Sequence, residues 1–595
     1  MPSYMIEDIL SQVQKPGRYI GQEWNSSKKD FGKSDVKFAL SFPDLYEVGM
    51  SNLGLRIIYN LLNGIEGVCC ERFFSPGIDL EGILLSSGVE LFSLESKKPL
   101  KEFDMIGFSL GYELTFTNVL NILKLGGIPL RARERDGSFP LVIAGGPCAA
   151  NPEPMAEFID AFVIGEAEEA VIEIISSFRE MKGRLKEGRL DKEGLLRELS
   201  NIEGVYVPSL YEVKYFDDGR ISGFSPKSSG TARKIKKRYI KDLNSSPFPV
   251  SWLVPYIEIV HDRITLEVMR GCPNACRFCQ ARNFYYPLRA RKVDNLLGLA
   301  CAAYKQTGYE EISFSGLSVS DYPFMEELLN GLLGFFKDKG VSVSLPSIKP
   351  RPHVAATASL IALTKKTGLT FAPEAATEKL RRVLNKDFQV PDFFRILEQS
   401  YLSGYQRVKL YFMIGLPSEQ PQDLDAIVEF AKEVSELRKK INVPGGSGRN
   451  GAAQVNISIN TLIPKPHTPF QWLKMHEGRS IADKTAYLKG RLRNKRIKLN
   501  FHNPEMSILE GVLSRGDRRL AEVIEHAFNN GARFDAWEDH FVFRRWQEAF
   551  FACGIDMGFY LKEKSADDIL PWDFLDMGVG KEELLREFNK LVAVK

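Results

Sequence analysis

The 595-residue chain lacks any run of 18 or more apolar residues, so no membrane-spanning helix is expected. Its start, Met-Pro-Ser-Tyr-Met-Ile-Glu-Asp, lacks the charged-then-apolar pattern of a secretory signal. A cytoplasmic location with reduced thiols is therefore expected. Charge of one sign is also missing. Lys and Arg number 79 against 76 Asp and Glu, a net +3, which leaves no global basic footprint for nucleic acid. Apolar residues make up 44% and charged residues 26%, a balance that excludes a mainly disordered or collagen-like chain and suits two to four folding units.

Short apolar runs alternate with helical patterns along most of the chain. Residues 1–35 read as a polar arm. Strands are expected at Val36–Phe42, Met105–Leu110, Leu141–Ala144 and Ala161–Ile164, with helices near Leu53–Leu62, Thr115–Leu125 and Glu168–Ser177. Strand–helix alternation implies a parallel sheet covered on both faces, so 36–180 reads as a Rossmann-like, doubly wound α/β domain. Residues 181–255 read as a connector with a hairpin turning at Asp217-Asp218-Gly219. Its basic stretch Arg233–Arg238 reads as solvated surface. A second series has strands at Ile264–Val268, Glu311–Phe314, Val341–Leu345, Leu369–Ala372, Val408–Met413 and Val455–Leu462. Six βα units are too few for a closed eight-unit barrel, and a partial barrel over 256–475 fits them. Residues 476–595 read as helix-rich.

Eight cysteines are present, and three fall together as Cys272-x-x-x-Cys276-x-x-Cys279. Three neighbouring thiolates suit an iron–sulfur cluster or a zinc site. A structural zinc needs a fourth ligand, and the surrounding sequence offers none: His261 precedes the strand, and Cys301 falls in a helical pattern. Three ligands on a four-iron cluster leave one iron open to bind a small molecule. The motif follows a strand, at the sheet edge where barrel sites assemble.

With Phe278 before its last cysteine, the motif resembles the signature of the radical SAM superfamily. Arg270-Gly-Cys-Pro-Asn-Ala-Cys-Arg-Phe-Cys-Gln280, Arg289-Ala-Arg291, Leu345-Pro-Ser347, Ala372-Pro-Glu-Ala375, Tyr411-Phe-Met-Ile-Gly-Leu-Pro417 and Pro464-Lys-Pro-His-Thr-Pro469 resemble one largely uncharacterised subgroup. Its members carry an N-terminal cobalamin-binding-like domain. Gly145-Gly-Pro147, Leu513-Ser-Arg-Gly-Asp-Arg518 and Leu570-Pro-Trp572 extend the similarity over most of the chain.

The resemblance implies a [4Fe-4S] cluster on Cys272, Cys276 and Cys279. S-adenosylmethionine (SAM) would chelate the open iron and be cleaved reductively to start radical chemistry. An electron donor such as flavodoxin or ferredoxin is implied; the substrate is unread, with RNA one candidate. Ser315, Gly316 and Ser318 after the second barrel strand, Glu374 after the fourth, and Gly415 and Glu419 after the fifth are expected around SAM, with Phe278 in the cluster loop. Arg289 and Arg291 are candidates for a carboxylate of cofactor or substrate, or plain surface residues.

Cobalamin domains that ligate cobalt use Asp-x-His-x-x-Gly after their first strand. This chain has Asp44-Leu-Tyr46-Glu-Val-Gly49 there. The resemblance thus places Tyr46 beneath a corrin, with no protein ligand on cobalt, and Gly145 and Gly146 in the crevice at the strand ends. Loss of cobalamin binding would follow equally from the missing His.

Other signals carry less. Gly446-x-Gly448-x-x-Gly451 precedes a strand where a dinucleotide motif must follow one. His467 reads as a core or hydrogen-bonding residue, Cys69, Cys70, Cys301 and Cys553 as buried small residues, and the basic run 489–498 as a solvated helix face. A methylthiotransferase needs three further cluster cysteines, and 36–180 offers only Cys69, Cys70 and Cys148. The competing class is a nucleic-acid-binding protein with a structural metal site.

Overall fold

The computed structural model describes residues 3–345, 349–350, 368–441, 451–492 and 494–592. Ser347 and 446–450 of the glycine-rich loop lie outside the described residues.

The N-terminal sheet has six strands: β1 (Val36–Phe42), β2 (Val68–Phe74), β3 (Met105–Ser109), β4 (Leu141–Gly145), β5 (Ala161–Val163) and β6 (Val205–Tyr206). Their order is β2-β1-β3-β4-β5-β6, all parallel except the β5–β6 pair. This is the doubly wound order that places a ligand crevice at the carboxyl ends of β1 and β3. Strand β2 is absent from the sequence reading because Glu71 and Arg72 interrupt its apolar run. Both are buried, and Arg72 is neutralised by Glu23 at 2.6 Å and Glu95 at 2.7 Å. Helices α1 (Leu53–Gly64) and α3 (Ala167–Lys186) pack side by side, and α2 (Phe116–Leu125) lies almost wholly buried between the sheet and C-terminal helices.

The connector hairpin forms as β7 (Tyr211–Tyr215) and β8 (Ile221–Pro226). The basic stretch is solvated at Arg233, Lys234 and Lys236, as expected, but not throughout. Its Ile235–Lys236 is a strand, β9. Lys237 is buried, donating to the carbonyls of Asn283, Phe284 and Tyr286 at 2.7–2.9 Å. Arg238 pairs with Glu169 and Glu173. Three carbonyls at a buried ammonium satisfy what solvent would otherwise supply.

The second series forms two arcs of parallel sheet, a partial barrel. One is β10 (Ile264–Glu267), β13 (Glu311–Ser315) and β14 (Ser342–Ser344); the other is β15 (Leu369–Glu374), β16 (Arg407–Ile414), β17 (Gln454–Thr461) and β18 (Ile497–Phe501). A short antiparallel ladder, β11 (Met269–Arg270) and β12 (Arg289–Ala290), follows β10. The six expected strands are all present. The seventh, β18, lies in the stretch read as helix-rich and adds to β17 by five aligned residues. Helix α4 (Glu378–Leu384) follows β15. Helices α5 (Gly478–Arg491), α6 (Pro504–Arg515) and α7 (Lys581–Val592) belong to the C-terminal part.

The C-terminal motifs are staples. Buried Arg515 donates to the carbonyls of Leu473 and Lys562, Arg518 binds Glu153 of the first sheet's loops, and Trp572 donates to Gln471. His467 is buried, its Nε2 2.9 Å from the Ala150 carbonyl, as expected of a hydrogen-bonding core residue. Among the described residues no helix is long and apolar enough to cross a membrane.

Candidate active site between two sheet edges

Two features meet where the carboxyl ends of the two sheets face each other. The first is the cysteine loop. It leaves β11 through Gly271, whose φ of +89° only glycine adopts readily; a Cβ there would lie 2.8 Å from the Pro287 carbonyl. Cys272, Cys276 and Cys279 are half-buried free thiols. Burial pushes Cys276 up to about 11 and raises Cys279, and Cys272 adds to the upward shift of both. Metal ligation must therefore displace protons. Among the described residues no three His, Cys, Asp or Glu side chains close around a single ion. A cluster instead takes each thiolate on a different iron and spreads them apart.

The loop is held on both sides. Asn274 donates to Asp321 at 2.8 Å and lies 3.4 Å from both the Cys272 sulfur and Ser318 Oγ. Ser318 donates to the same Asp321 carboxylate at 2.6 Å, so its hydroxyl anchors this loop. Lys349 reaches Asn274 Oδ1 from a separate segment. Glu374, at φ +65° on the end of β15, pairs with Lys386 at 3.3 Å. Burial raises its carboxyl pKa and Lys386 opposes the shift. Glu374 and Lys386 both act electrostatically on Cys276 and Cys279, so the thiols, a carboxylate and an ammonium share one site. Lys386 and Asn274 were missed in the sequence because nothing in their spacing ties them to the cysteines.

Phe278 packs on an apolar cluster that includes Ala375, Met413 and Leu462, at the ends of β15, β16 and β17. Gly415 has φ +77° and faces His476. Glu419 is not free for a cofactor: its carboxylate accepts from the Gly415 and Leu416 N–H groups at 3.3 Å and pairs with Lys484. Arg289 and Arg291 are likewise interior rather than exposed. Arg289 makes a two-pronged pair with Glu166 at 2.7 and 2.8 Å, and Arg291 stacks over Phe248 and reaches Asn295.

The second feature is a cavity of about 530 Å³. Its floor is one face of the first sheet, from Phe38 and Leu40 through Gly107 and Ser109 to Ile143 and Gly145. Its sides come from Asn52 and residues Leu53, Gly54, Leu55, Ile57 and Ile58 of α1, and from Ala167, Glu168 and Val171 of α3. Its far end is the barrel: Glu267, Met269, Arg270, Gly271, Ser315, Gly316 and Leu317. Gly145 and Gly146 line it as expected. At Gly146, φ is +104° and a Cβ would lie 2.7 Å from the Leu110 carbonyl. Ser315 and Gly316 also line it, one step from the cysteine loop.

The Asp44–Gly49 segment does not line this cavity. Tyr46 is 1% exposed and donates to Glu23 Oε1 at 2.7 Å, inside the Arg72 network. Asp44 accepts from Leu45 N–H and the Trp537 indole, and Gly49 packs against Phe74. The crevice is reached instead just beyond this segment, by Asn52 and the first residues of α1. The turn Tyr46–Gly49 is helical and rotates Tyr46 into the core.

Cys69, Cys70 and Cys148 are buried; Cys301 and Cys553 are half-buried. Cys69 and Cys70 lie on β2, with β1 and β3 between them and β4, which precedes Cys148. At about 4.8 Å per strand spacing the three thiols cannot share one cluster.

The description "Radical SAM superfamily" matches residues 266–431, and "Radical SAM proteins, N-terminal" matches 54–208. The chain belongs to the radical SAM superfamily. An uncharacterized protein of Methanocaldococcus jannaschii is 29% identical over 495 residues, covering 82% of this chain and 91% of its own. The solved radical S-adenosylmethionine methyltransferase TsrM from Kitasatospora setae, with cobalamin and a [4Fe-4S] cluster bound, is 13% identical at a TM-score of 0.50. The match covers 87% of this chain and 99% of TsrM, and shows a shared fold. The cobalamin-dependent S-adenosylmethionine radical enzyme OxsB is 11% identical at a TM-score of 0.46, over 94% of this chain and 79% of its own. This radical SAM protein is thus an enzyme whose core implies a [4Fe-4S] cluster and SAM. Cys272, Cys276 and Cys279 supply the three free thiols that such a cluster requires.

Proposed function

We propose that this radical SAM enzyme is cobalamin-dependent and transfers a methyl group to an unactivated substrate. The observation that carries the reading is the cavity running from the face of the first sheet, between α1 and α3, to the barrel strand ends beside Cys272. Its volume suits a large organic cofactor. Its lining combines apolar residues such as Phe38, Leu40 and Ile57 with polar groups such as Glu168 and Arg270, which suits a cofactor with both apolar and hydrogen-bonding parts.

With SAM at the cluster supplying an adenosyl radical and cobalamin supplying the methyl group, the chemistry needs both cofactors within reach of one substrate. The residues of this chain provide that proximity. Gly145 and Gly146 keep the first sheet's edge low, and Ser315 and Gly316 do the same on the barrel side. Glu374 is held by Lys386 beside the thiols, where it can accept from ribose hydroxyls or the methionine ammonium. Among the described residues no His or Cys lines the cavity, so the described walls offer cobalt neither imidazole nor thiolate. Reduction of the cluster calls for an electron donor such as flavodoxin or ferredoxin. The burial of Lys237 and the pairing of Arg238 remove part of the support for an RNA substrate.

The test is anaerobic reconstitution with iron, sulfide and hydroxocobalamin, followed by desalting. Stoichiometric cobalt is expected in the wild type, with label from methyl-labelled SAM entering the substrate. Ala167→Trp, which fills the cavity at the start of α3, should abolish cobalt retention while SAM cleavage persists. Cleavage without any cobalt retained by the wild type would make this a cobalamin-free radical SAM enzyme.

A further inference from the structure

The root of the cysteine loop and the ligand edge of the first sheet are joined by buried charges. Arg270, two residues before Cys272, bonds Glu267, the last residue of the preceding strand β10, at 2.9 Å. The same guanidinium reaches Glu166 at 3.0 Å and Glu168 at 2.9 Å, at the carboxyl end of β5 and the first turn of α3. Arg289, paired with Arg270 across the β11–β12 ladder, clasps Glu166 from the other side. All four of Glu166, Glu168, Arg270 and Arg289 are at most 9% exposed. Three carboxylates therefore share two guanidiniums, and Glu166, Glu168, Glu267 and Arg270 all line the cavity.

We propose that Arg270 and Glu168 are positioning residues that couple the cavity to the cluster loop, so that filling the cavity tightens SAM binding. This rests on the cobalamin reading above. Glu168 differs from its neighbours. Glu166 has both oxygens engaged by arginines and a backbone N–H, whereas among the described residues the one ion-pair partner of Glu168 is Arg270. A corrin rim carries primary amides, which donate to carboxylates. A donor entering the cavity draws Glu168 toward itself, and Arg270 is left to Glu166 and Glu267. The network thus has two discrete arrangements, with Arg270 either shared three ways or settled on two carboxylates. Because the Arg270 backbone begins the loop, each arrangement fixes a different loop position. Coupling between two ligands is reciprocal, so SAM must tighten cobalamin binding by the same factor.

The experiment titrates SAM anaerobically into cluster-reconstituted protein, with and without hydroxocobalamin, and takes the ratio of the two dissociation constants. The wild type is expected to bind SAM about fivefold or more tighter when cobalamin is present, the lower end of ordinary coupling. In Glu168→Gln, and independently in Arg270→Lys, which keeps the charge but loses the planar fork, the ratio should fall to within about twofold of one. A mere structural staple would shift both constants and leave their ratio unchanged. A wild-type ratio of one, or a ratio unaltered in both variants, overturns the coupling while cobalt retention leaves the cobalamin reading intact. Loss of cobalt from both variants would make these plain binding groups and also overturns it. No cobalt in the wild type overturns both readings.

Discussion

Arg277, between Cys276 and Phe278, donates from Nε to Glu587 of α7 at 3.2 Å and from Nη1 to the Arg382 and Val383 carbonyls at 2.8 and 2.9 Å. One side chain therefore ties the cysteine loop to the last turn of α4 and to the C-terminal helix. Arg277→Ala leaves those helix-end carbonyls without their donor, at a cost of about 1–3 kcal/mol. A lower iron content per chain after reconstitution is expected. Glu587→Gln removes a partly exposed pair worth under about 1 kcal/mol, and iron content should hold. Colorimetric iron assays on the two variants check both.

Replacing any one of Cys272, Cys276 or Cys279 by Ala should abolish the absorbance of the cluster in the visible range and all reductive cleavage of SAM. Two thiolates cannot retain a four-iron cluster against loss. Cleavage by the triple variant would be incompatible with this chemistry.

Glu374→Gln should weaken SAM binding about ten- to a hundredfold, the size of a lost charge-assisted hydrogen bond. Cluster content should stay level because Glu374 is no iron ligand. Calorimetric titration with parallel iron analysis separates the two; an unchanged affinity would show that the carboxylate serves Lys386 alone.

Tyr46→His restores the cobalt-ligating pattern in sequence but not in space. Position 46 points at Glu23 and Arg72, so the spectrum of bound cobalamin should show no imidazole ligation. Tyr46→Phe removes one donor to Glu23, which keeps Arg72, and should cost about 1 kcal/mol in denaturant unfolding.

Burial lowers the His467 pKa from 6.5 to about 4. Between those values the unfolded chain binds a proton that the folded chain refuses. Its contribution is fully present above pH 6.5 and is lost as pH falls toward 4, about 3 kcal/mol in all. Urea unfolding at pH 7 and pH 5 should show this loss in the wild type and a smaller one in His467→Gln. An equal loss in both would place the titration elsewhere.

Local pattern made much of the fold legible. The strands β1, β3, β4 and β5, and the six expected barrel strands, lie within a residue or two of the observed ones, because buried strands read as continuous apolar segments and half-buried ones such as β15 and β17 as alternation. Two strands escaped for opposite reasons. In β2 the charged Glu71-Arg72 pair broke the run, although Glu23 and Glu95 neutralise Arg72 from distant segments. In β18 the pattern Ile-Lys-Leu-Asn-Phe alternates within a basic stretch and resembled a solvated helix face.

The site divides the same way. By itself the sequence determined the cluster chemistry, because three cysteines at fixed spacing with no fourth ligand are a local property of eight residues. It also determined that both sheets are built mainly of parallel strands and carry glycine-rich loops at their carboxyl ends. Only the tertiary structure decided which side chains face the shared space. Tyr46 and Glu419 have suitable chemistry and spacing, yet one is rotated into the Arg72 network and the other holds its own loop. Glu166, Glu168 and Arg270 meet across more than a hundred residues of sequence. The direction of a side chain depends on the turn beneath it and on the charges brought against it by distant segments, and neither is encoded in spacing along the chain.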